Sequence, residues 1–156
     1  MDMMEQLGVK AEPRGDGLTL TKKECHQEFI WDFTHCPDLV QTVAVVCAAK
    51  GIHGTFTGLE SLRIKETDRI KALQQELRKL GAQLIEDSSI WTLLPSEVIP
   101  ENIPLINTYL DHRMAMAFAP LATLREIIIE NPNVVRKSYP GFWKDLGKAG
   151  FRLTES

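Results

Sequence analysis

Residues 63–69 form the densest group of ionisable side chains, because five of these seven residues carry a charge. They stand where a predicted strand ends and a predicted helix begins, and a helix N-terminus offers unpaired N–H groups and partial positive charge. Adding Arg63, Lys65 and Arg69 there gives a receptor for phosphate or carboxylate. Glu66, flanked by cations, suits proton transfer. For such a run taken alone, a solvated, salt-bridged helix start is the simpler interpretation.

A second group, Asp111-His112-Arg113, immediately precedes the nearly apolar residues 114–119. Ionisable residues at the end of a buried helix must face a cleft or be buried at a large free-energy cost. We therefore expect them to face a cleft. A structural interpretation stays open beside this one, in which Asp111 caps the helix and His112 is a hydrogen-bonded core histidine.

Two further groups have the same placement. Asp38 follows Pro37 at the head of an apolar helix predicted over residues 39–49, where a first-turn carboxylate is favoured by the helix dipole even without a catalytic role. Lys137, with Arg136, follows a predicted strand, and these cations either reach a ligand or stay in water.

All four groups lie at strand-to-helix junctions, which in layered α/β folds converge on one edge where ligands bind. The sequence therefore predicts one cation-rich site with two or three carboxylates, an anionic substrate, and proton transfer without a metal. A zinc site at Cys25-His26 and His35-Cys36 is a weaker hypothesis, since the spacing matches no common framework. The motifs G-x-x-x-x-G-K, G-x-G-x-x-G and G-x-S-x-G do not occur.

Hydrophobic periodicity predicts an α/β or α+β fold with helices and strands in alternation. Helix, two strands, helix recurs loosely, as if a βαββαβ unit were repeated. The predicted helices cover residues 39–49, 68–80, 111–124 and 140–148. The predicted strands cover residues 19–21, 28–33, 53–59, 83–86, 90–94, 105–110, 126–130 and 151–153.

Composition limits the possible classes of protein. The 156 residues carry a formal net charge of -3, so no global field would gather nucleic acid or an anionic membrane. Three cysteines cannot pair completely, which suits a reducing compartment. The first residues have no signal-peptide pattern and no apolar run approaches a membrane span, so we expect a soluble, cytoplasmic protein.

Three segments, residues 62–69, 111–117 and 135–146, resemble the signatures of the C-terminal part of 5-enolpyruvylshikimate-3-phosphate synthases, in that family's order. Cys36-Pro37-Asp38-Leu39 resembles a fourth family element, so the similarity extends from about Phe29 to Leu146. The resemblance implies transfer of the enolpyruvyl group of phosphoenolpyruvate to the 5-hydroxyl of shikimate 3-phosphate, with release of phosphate. It implies no metal and no organic cofactor.

The resemblance also implies roles for individual residues. Asp38 would accept the 5-hydroxyl proton and hold the shikimate ring, while Glu66 would protonate the methylene carbon of phosphoenolpyruvate. Lys65 would contact shikimate 3-phosphate and assist proton transfer. Arg69 and Arg113 would clamp the phosphoenolpyruvate carboxylate.

Four more residues have implied roles. Lys137 would neutralise the phosphate of phosphoenolpyruvate, and Asp111 and His112 would support the clamp. Ser61 stands where many family members have asparagine, and its shorter side chain would still hydrogen-bond substrate.

Family members are about three times longer and have two domains of repeated βαββαβ units, with the active site between them. The resemblance therefore implies that residues 1–156 form part of the C-terminal domain, roughly the last third, and are inactive alone. The missing N-terminal domain would be a partner, and the exposed domain edge would favour self-association. Alternatives are a stand-alone anion-binding module and the related transferase acting on a UDP-sugar, which residues 65–69 and 111–113 argue against.

Overall fold

The computed structural model describes residues 3–65, 67–96, 98 and 100–154. Five α-helices are present in these ranges: α1 (Met3–Gln6), α2 (Val40–Lys50), α3 (Arg69–Lys79), α4 (His112–Phe118) and α5 (Phe142–Lys148). Eight strands accompany them: β1 (Val9–Arg14), β2 (Gly17–Lys22), β3 (Glu28–Asp32), β4 (His53–Thr57), β5 (Gln83–Asp87), β6 (Ile90–Leu94), β7 (Leu105–Ile106) and β8 (Ile128–Ile129).

The strands form three sheets in the described ranges. The largest has the order β3-β4-β6-β5, with β3 and β4 parallel and the other neighbours antiparallel. β1 and β2 form an antiparallel hairpin, and β7 and β8 form a parallel pair. The mixed α/β class predicted from the sequence is confirmed. From β3 to β6 the element order is β-α-β-α-β-β, so the βαββαβ order predicted for the repeat is wrong here. One strand, not two, lies between α2 and α3, and Glu60–Ile64 after it form a 3-10 turn.

Helix α2 lies at the centre of the molecule. It packs against α3, α4 and the four-stranded sheet, which explains why apolar residues cover almost all of its sides. The helix ends at Gly51, whose φ of 70° is in the left-handed region that glycine adopts readily. Helix α3, in contrast, is amphipathic and buries Ile70, Leu73 and Leu77 against the core. None of the helices in the described ranges is long and apolar enough to cross a membrane.

Three of the differences between the predicted and the observed elements have a clear physical cause. Helix α4 ends at Phe118 and continues as a 3-10 turn, because Pro120 has no N–H and would clash with the preceding turn of an α-helix. Strand β7 stops at Ile106, since Tyr109 and Leu110 have positive φ angles and turn the chain. The strand predicted over residues 151–153 is wrong, because no neighbouring strand pairs with it in the described part of the chain.

Gly58, directly after β4, allows a close approach of two chain segments. Its φ is +73°, and a Cβ there would collide with Thr34 and lie 2.6 Å from Asp32 Oδ1. We expect Gly58→Ala to lower the free energy of unfolding by about 2–3 kcal/mol in urea titrations. Gly15→Ala is the matched control, since Gly15 also has positive φ (+57°) but open space around it, and should cost about 1 kcal/mol. Equal losses in the two variants would show that the steric part of this account is wrong.

The Asp32 carboxylate accepts hydrogen bonds from the Thr34 hydroxyl (2.6 Å) and the Thr34 N–H (2.9 Å). These bonds hold the pKa of Asp32 below its ordinary value. A lowered folded-state pKa stabilises the fold above the unfolded-state pKa, and this contribution is lost as pH falls through the folded-state pKa. Thr34→Ala should therefore raise the pKa of Asp32 in an NMR titration, whereas Thr21→Ala should leave it unchanged. An Asp32 pKa that is the same in the wild type and in Thr34→Ala would contradict this account.

Candidate active site

Two aspartates mark the starts of the neighbouring helices α2 and α4. Asp38 lies in the 3-10 turn Pro37–Leu39, which connects β3 to α2. Asp111 is the N-cap of α4, and its side chain accepts the backbone N–H of Arg113 at 2.8 Å. Since α2 and α4 pack together, both carboxylates reach the same end of the helix layer. Arg69, the first residue of α3, reaches this end as well.

Asp38, Arg69, Asp111 and Arg113 form a closed ring of hydrogen bonds, called here the Asp–Arg ring. Arg69 donates through Nε to Asp111 Oδ2 at 2.6 Å and through Nη1 to Asp38 Oδ1 at 3.0 Å. Arg113 donates through Nη2 to Asp38 Oδ2 at 2.8 Å, and its backbone N–H closes the ring at Asp111. Two cations thus alternate with two carboxylates around the ring.

The two halves of the Asp–Arg ring differ in burial. Asp111 has no exposed surface and the Arg69 side chain is 2% exposed, whereas Asp38 and Arg113 are 44% and 32% exposed. A buried Arg–carboxylate pair with several hydrogen bonds holds a fixed geometry, while the outer pair can exchange partners with a ligand. The ring is therefore rigid on its Asp111 side and accessible on its Asp38 side.

Arg113 has further hydrogen-bonding capacity beside the ring. Its Nη1 donates to the Asp38 carbonyl oxygen at 3.1 Å. Its Nε is shielded from water and has no hydrogen-bond partner among the described residues. His112 is next to it, with Nδ1 3.7 Å from Asp111 Oδ1 and a side chain that is 17% exposed. Among the described residues, the protein thus leaves one donor of Arg113 unpaired.

Comparison with known proteins identifies the family. A family model described as EPSP synthase (3-phosphoshikimate 1-carboxyvinyltransferase) matches residues 1–146. The chain belongs to the EPSP synthase family. A 3-phosphoshikimate 1-carboxyvinyltransferase of Bacteroides fragilis is 48% identical over 155 residues, and one of Methanosphaerula palustris is 34% identical over 148 residues. These matches cover 97% and 94% of this chain but only 38% and 34% of the relatives.

A solved EPSP synthase structure from Acinetobacter baumannii resembles the fold. The TM-score is 0.71 at 21% sequence identity, over 95% of this chain and 38% of that protein. The chain thus corresponds in fold to somewhat more than a third of this EPSP synthase. It is a member of a family of shikimate-pathway transferases.

Other residues singled out by the resemblance to EPSP synthases lie apart from the Asp–Arg ring. Ser61 and Lys65 are exposed at the 3-10 turn Glu60–Ile64 and directly after it, and Lys137 is exposed at the end of the 3-10 turn Pro132–Lys137. Within the described ranges, no hydrogen bond or ion pair joins these three side chains to the ring. Glu66 lies outside the described residues.

Arg63, which the sequence pattern assigned to the anion receptor, has a structural role instead. Its guanidinium pairs with Glu86 on β5 and lies 3.6 Å from Asp68. The hydrogen bond to Glu86 raises the pKa of Arg63. Asp68 caps α3 by accepting the Lys71 N–H at 3.0 Å. This part of the charge run is therefore the salt-bridged helix start that the simpler interpretation described.

Glu76 is a buried carboxylate that the sequence pattern did not indicate. It has no exposed surface and accepts hydrogen bonds from Tyr109 Oη (2.7 Å), the Asn107 N–H (3.0 Å) and Lys79 Nζ (2.7 Å). Burial and the nearby Glu76 raise the pKa of Tyr109 to about 12. Glu76 thereby ties residues 107–109, just before Asp111, to helix α3. The sequence feature that could have indicated this role is the position of Glu76 on the apolar face of the predicted helix.

The described residues contain no group of three or more His, Cys, Asp and Glu side chains placed to hold a metal ion. Cys25, Cys36 and Cys47 are free thiols. Burial raises the pKa of the Cys47 thiol to about 12, so this thiol stays protonated at neutral pH.

Proposed function

We propose that this chain supplies one wall of the site at which the enolpyruvyl group of phosphoenolpyruvate is transferred to shikimate 3-phosphate. The observation that carries the proposal is the Asp–Arg ring, with its rigid Asp111–Arg69 side and its accessible Asp38–Arg113 side. The proposal takes its substrates from the reaction named for the relatives. Because the chain spans 38% of the Bacteroides fragilis relative, the rest of the site belongs to polypeptide outside it.

Arg69 and Arg113 bind the carboxylate of phosphoenolpyruvate in this proposal. Arg113 already holds a carboxylate, that of Asp38, at 2.8 Å through Nη2. The substrate carboxylate takes the place of Asp38 in the ring. Asp111 keeps Arg69 oriented during this exchange, so the clamp needs little reorganisation.

Asp38, once released from Arg69 and Arg113, becomes the proton acceptor for the 5-hydroxyl of shikimate 3-phosphate. The oxygen then bonds to the central carbon of phosphoenolpyruvate, while Glu66 protonates the methylene carbon. Loss of that proton and departure of phosphate restore the double bond, so atoms and charge balance. Lys65 and Ser61 contact shikimate 3-phosphate, Lys137 neutralises the phosphate, and His112 with Asp111 supports the clamp.

The same proposal assigns residues 1–156 to part of the C-terminal domain of a two-domain enolpyruvyl transferase. Its partners are shikimate 3-phosphate, phosphoenolpyruvate and the N-terminal domain, and its compartment is the cytoplasm. Without the other domain the chain has half a cleft. It therefore binds both substrates weakly and does not turn over.

A coupled phosphate-release assay with both substrates tests this claim on the chain alone. We expect no release above the rate of a buffer blank, and calorimetric titration with either substrate should give dissociation constants above about 1 mM. Sustained phosphate release would contradict the assignment to one wall of the site. Tight binding without turnover would instead favour a stand-alone anion-binding module.

A further inference from the structure

Two segments that carry residues of the proposed site begin at neighbouring strand ends. The Asp38 segment, residues 33–39, follows β3, and the Ser61 segment, residues 58–65, follows β4 and also carries Lys65. Because β3 and β4 are parallel and end in register, both segments leave the sheet at the same edge. Ser61 and Lys65 lie apart from the Asp–Arg ring, so the ring does not fix their position relative to Asp38.

Asp32, the last residue of β3, lies where the two segments meet. Its Oδ1 accepts the Thr34 hydroxyl at 2.6 Å and the Thr34 N–H at 2.9 Å. From the other segment, a Cβ on Gly58 would collide with Thr34 and lie 2.6 Å from Asp32 Oδ1. The Phe33 N–H donates to the Thr57 carbonyl oxygen at 2.9 Å. The hydrogen bonds from Thr34, and after them one from Thr57, hold the pKa of Asp32 below its ordinary value.

The Asp38 segment depends on such bonds because its side chains are not anchored in the core. In the fully described stretch between Phe33 and Val40, no residue is buried. Arg113 holds the side chain and the carbonyl oxygen of Asp38 while the Asp–Arg ring is closed. Once a substrate carboxylate displaces the Asp38 side chain from the ring, the hydrogen bonds to Asp32 become a larger part of what holds this segment in place.

We propose that Asp32 is a positioning residue for the transfer reaction. It holds the Asp38 segment at the distance from the Ser61 segment that shikimate 3-phosphate requires. Asp32 acts through Thr34 and through the contact with Gly58, without touching substrate. The inference rests on the proposed function, in which both segments contact shikimate 3-phosphate. Small displacements of such groups are costly, because the reacting atoms must be held close together and aligned.

Steady-state kinetics test this in a chimera that carries this chain in place of the matching 38% of the Bacteroides fragilis 3-phosphoshikimate 1-carboxyvinyltransferase. Asp32→Ala should raise the KM for shikimate 3-phosphate about tenfold and lower kcat about tenfold. The KM for phosphoenolpyruvate should change less than about twofold, because buried Asp111 orients Arg69 without help from Asp32. Asp32→Asn keeps an acceptor for Thr34 and should stay within about threefold of the parent in both constants.

Asp87→Ala is the matched control. Asp87 also ends a strand, is exposed, and accepts the hydroxyl of the following Ser88 at 3.2 Å, but its hairpin carries none of the proposed site residues. This variant should keep both KM values and kcat. An Asp32→Ala variant with an unchanged KM for shikimate 3-phosphate would overturn the proposal. So would equal rises of the two KM values, which a general loss of structure produces, or the same effect in Asp87→Ala.

Hydrogen exchange of the chain alone tests the link between the segments without any assay of activity. The Cys36 N–H bonds to the Phe33 carbonyl and the Leu62 N–H to the Leu59 carbonyl, both at 2.9 Å. Both N–H groups should exchange at least about threefold faster in Asp32→Ala, and neither should in the Asp87 control. Unchanged exchange at Leu62 would overturn the proposal. A chimera without turnover would instead contradict the proposed function, and the exchange rates would then decide whether Asp32 joins the segments.

Discussion

Replacing Asp111 by alanine is expected to lower the free energy of unfolding by about 3–5 kcal/mol, as for the breaking of a buried ion pair. Asp111 is fully buried and accepts hydrogen bonds from the Arg113 N–H at 2.8 Å and from Arg69 through Nε at 2.6 Å and Nη2 at 3.4 Å. Without it the Arg69 guanidinium, whose side chain is 2% exposed, loses a fully buried carboxylate 2.6 Å from its Nε. Urea unfolding followed by circular dichroism measures the loss.

Asp38→Ala is the matched control for this prediction. It also removes a carboxylate bound to Arg69, but Asp38 is 44% exposed and water can replace it. We expect a loss of about 1 kcal/mol. If the two variants were equally stable, the division of the Asp–Arg ring into a rigid side and an accessible side would be wrong.

The Glu76→Ala variant is expected to lose about 3–4 kcal/mol, measured in the same urea titrations. The substitution leaves the Asn107 N–H, the Tyr109 hydroxyl and the Lys79 ammonium without their shared acceptor. Because these groups hold the segment that leads to Asp111, the loss should spread to the Asp–Arg ring. Hydrogen exchange of the Arg113 N–H should therefore become faster in the variant.

Two further variants, Gln75→Ala and Glu76→Gln, separate the contribution of a Tyr109 hydrogen bond from that of the buried charge of Glu76. Gln75 also accepts the Tyr109 hydroxyl at 2.7 Å but is exposed, so its removal should cost less than about 1 kcal/mol. Glu76→Gln keeps an acceptor without the charge and should fall between the two. A Glu76→Ala variant as stable as Gln75→Ala would refute the anchoring role of Glu76.

Helices α2 and α3 could be predicted from sequence because local signals mark them. Pro37 and Gly51 bracket α2, and Asp68 caps α3 above a regular apolar face. Strand β1 and the end of β7 were harder to predict. The sequence of β1 has no strand pattern of its own, and β1 is extended because it pairs with β2 along its whole length. The end of β7 depends on left-handed backbone at Tyr109 and Leu110, two residue types that rarely adopt it.

The candidate site was predictable in part, since junction residues can be read from the sequence. The pairing of Asp38 with Arg69 and Arg113 spans 31 and 75 positions and depends on how α2, α3 and α4 pack. Sequence position alone also could not show that Arg69 belongs to the candidate site while Arg63 has a structural role. The two lie in one charge run, but the 3-10 turn directs Arg63 towards Glu86, whereas Arg69 starts the helix.

Kinetics of a chimera test the central claim most directly. The chimera carries this chain in place of the matching 38% of the Bacteroides fragilis 3-phosphoshikimate 1-carboxyvinyltransferase. We expect turnover, with the KM for phosphoenolpyruvate raised about 10- to 100-fold in Arg113→Ala, as for a lost hydrogen bond to a charged group. Arg78→Ala, on the exposed surface of α3, should keep the parent KM. A folded chimera without turnover, or an active one whose KM is unchanged in Arg113→Ala, would contradict the claim that the Asp–Arg ring binds substrate.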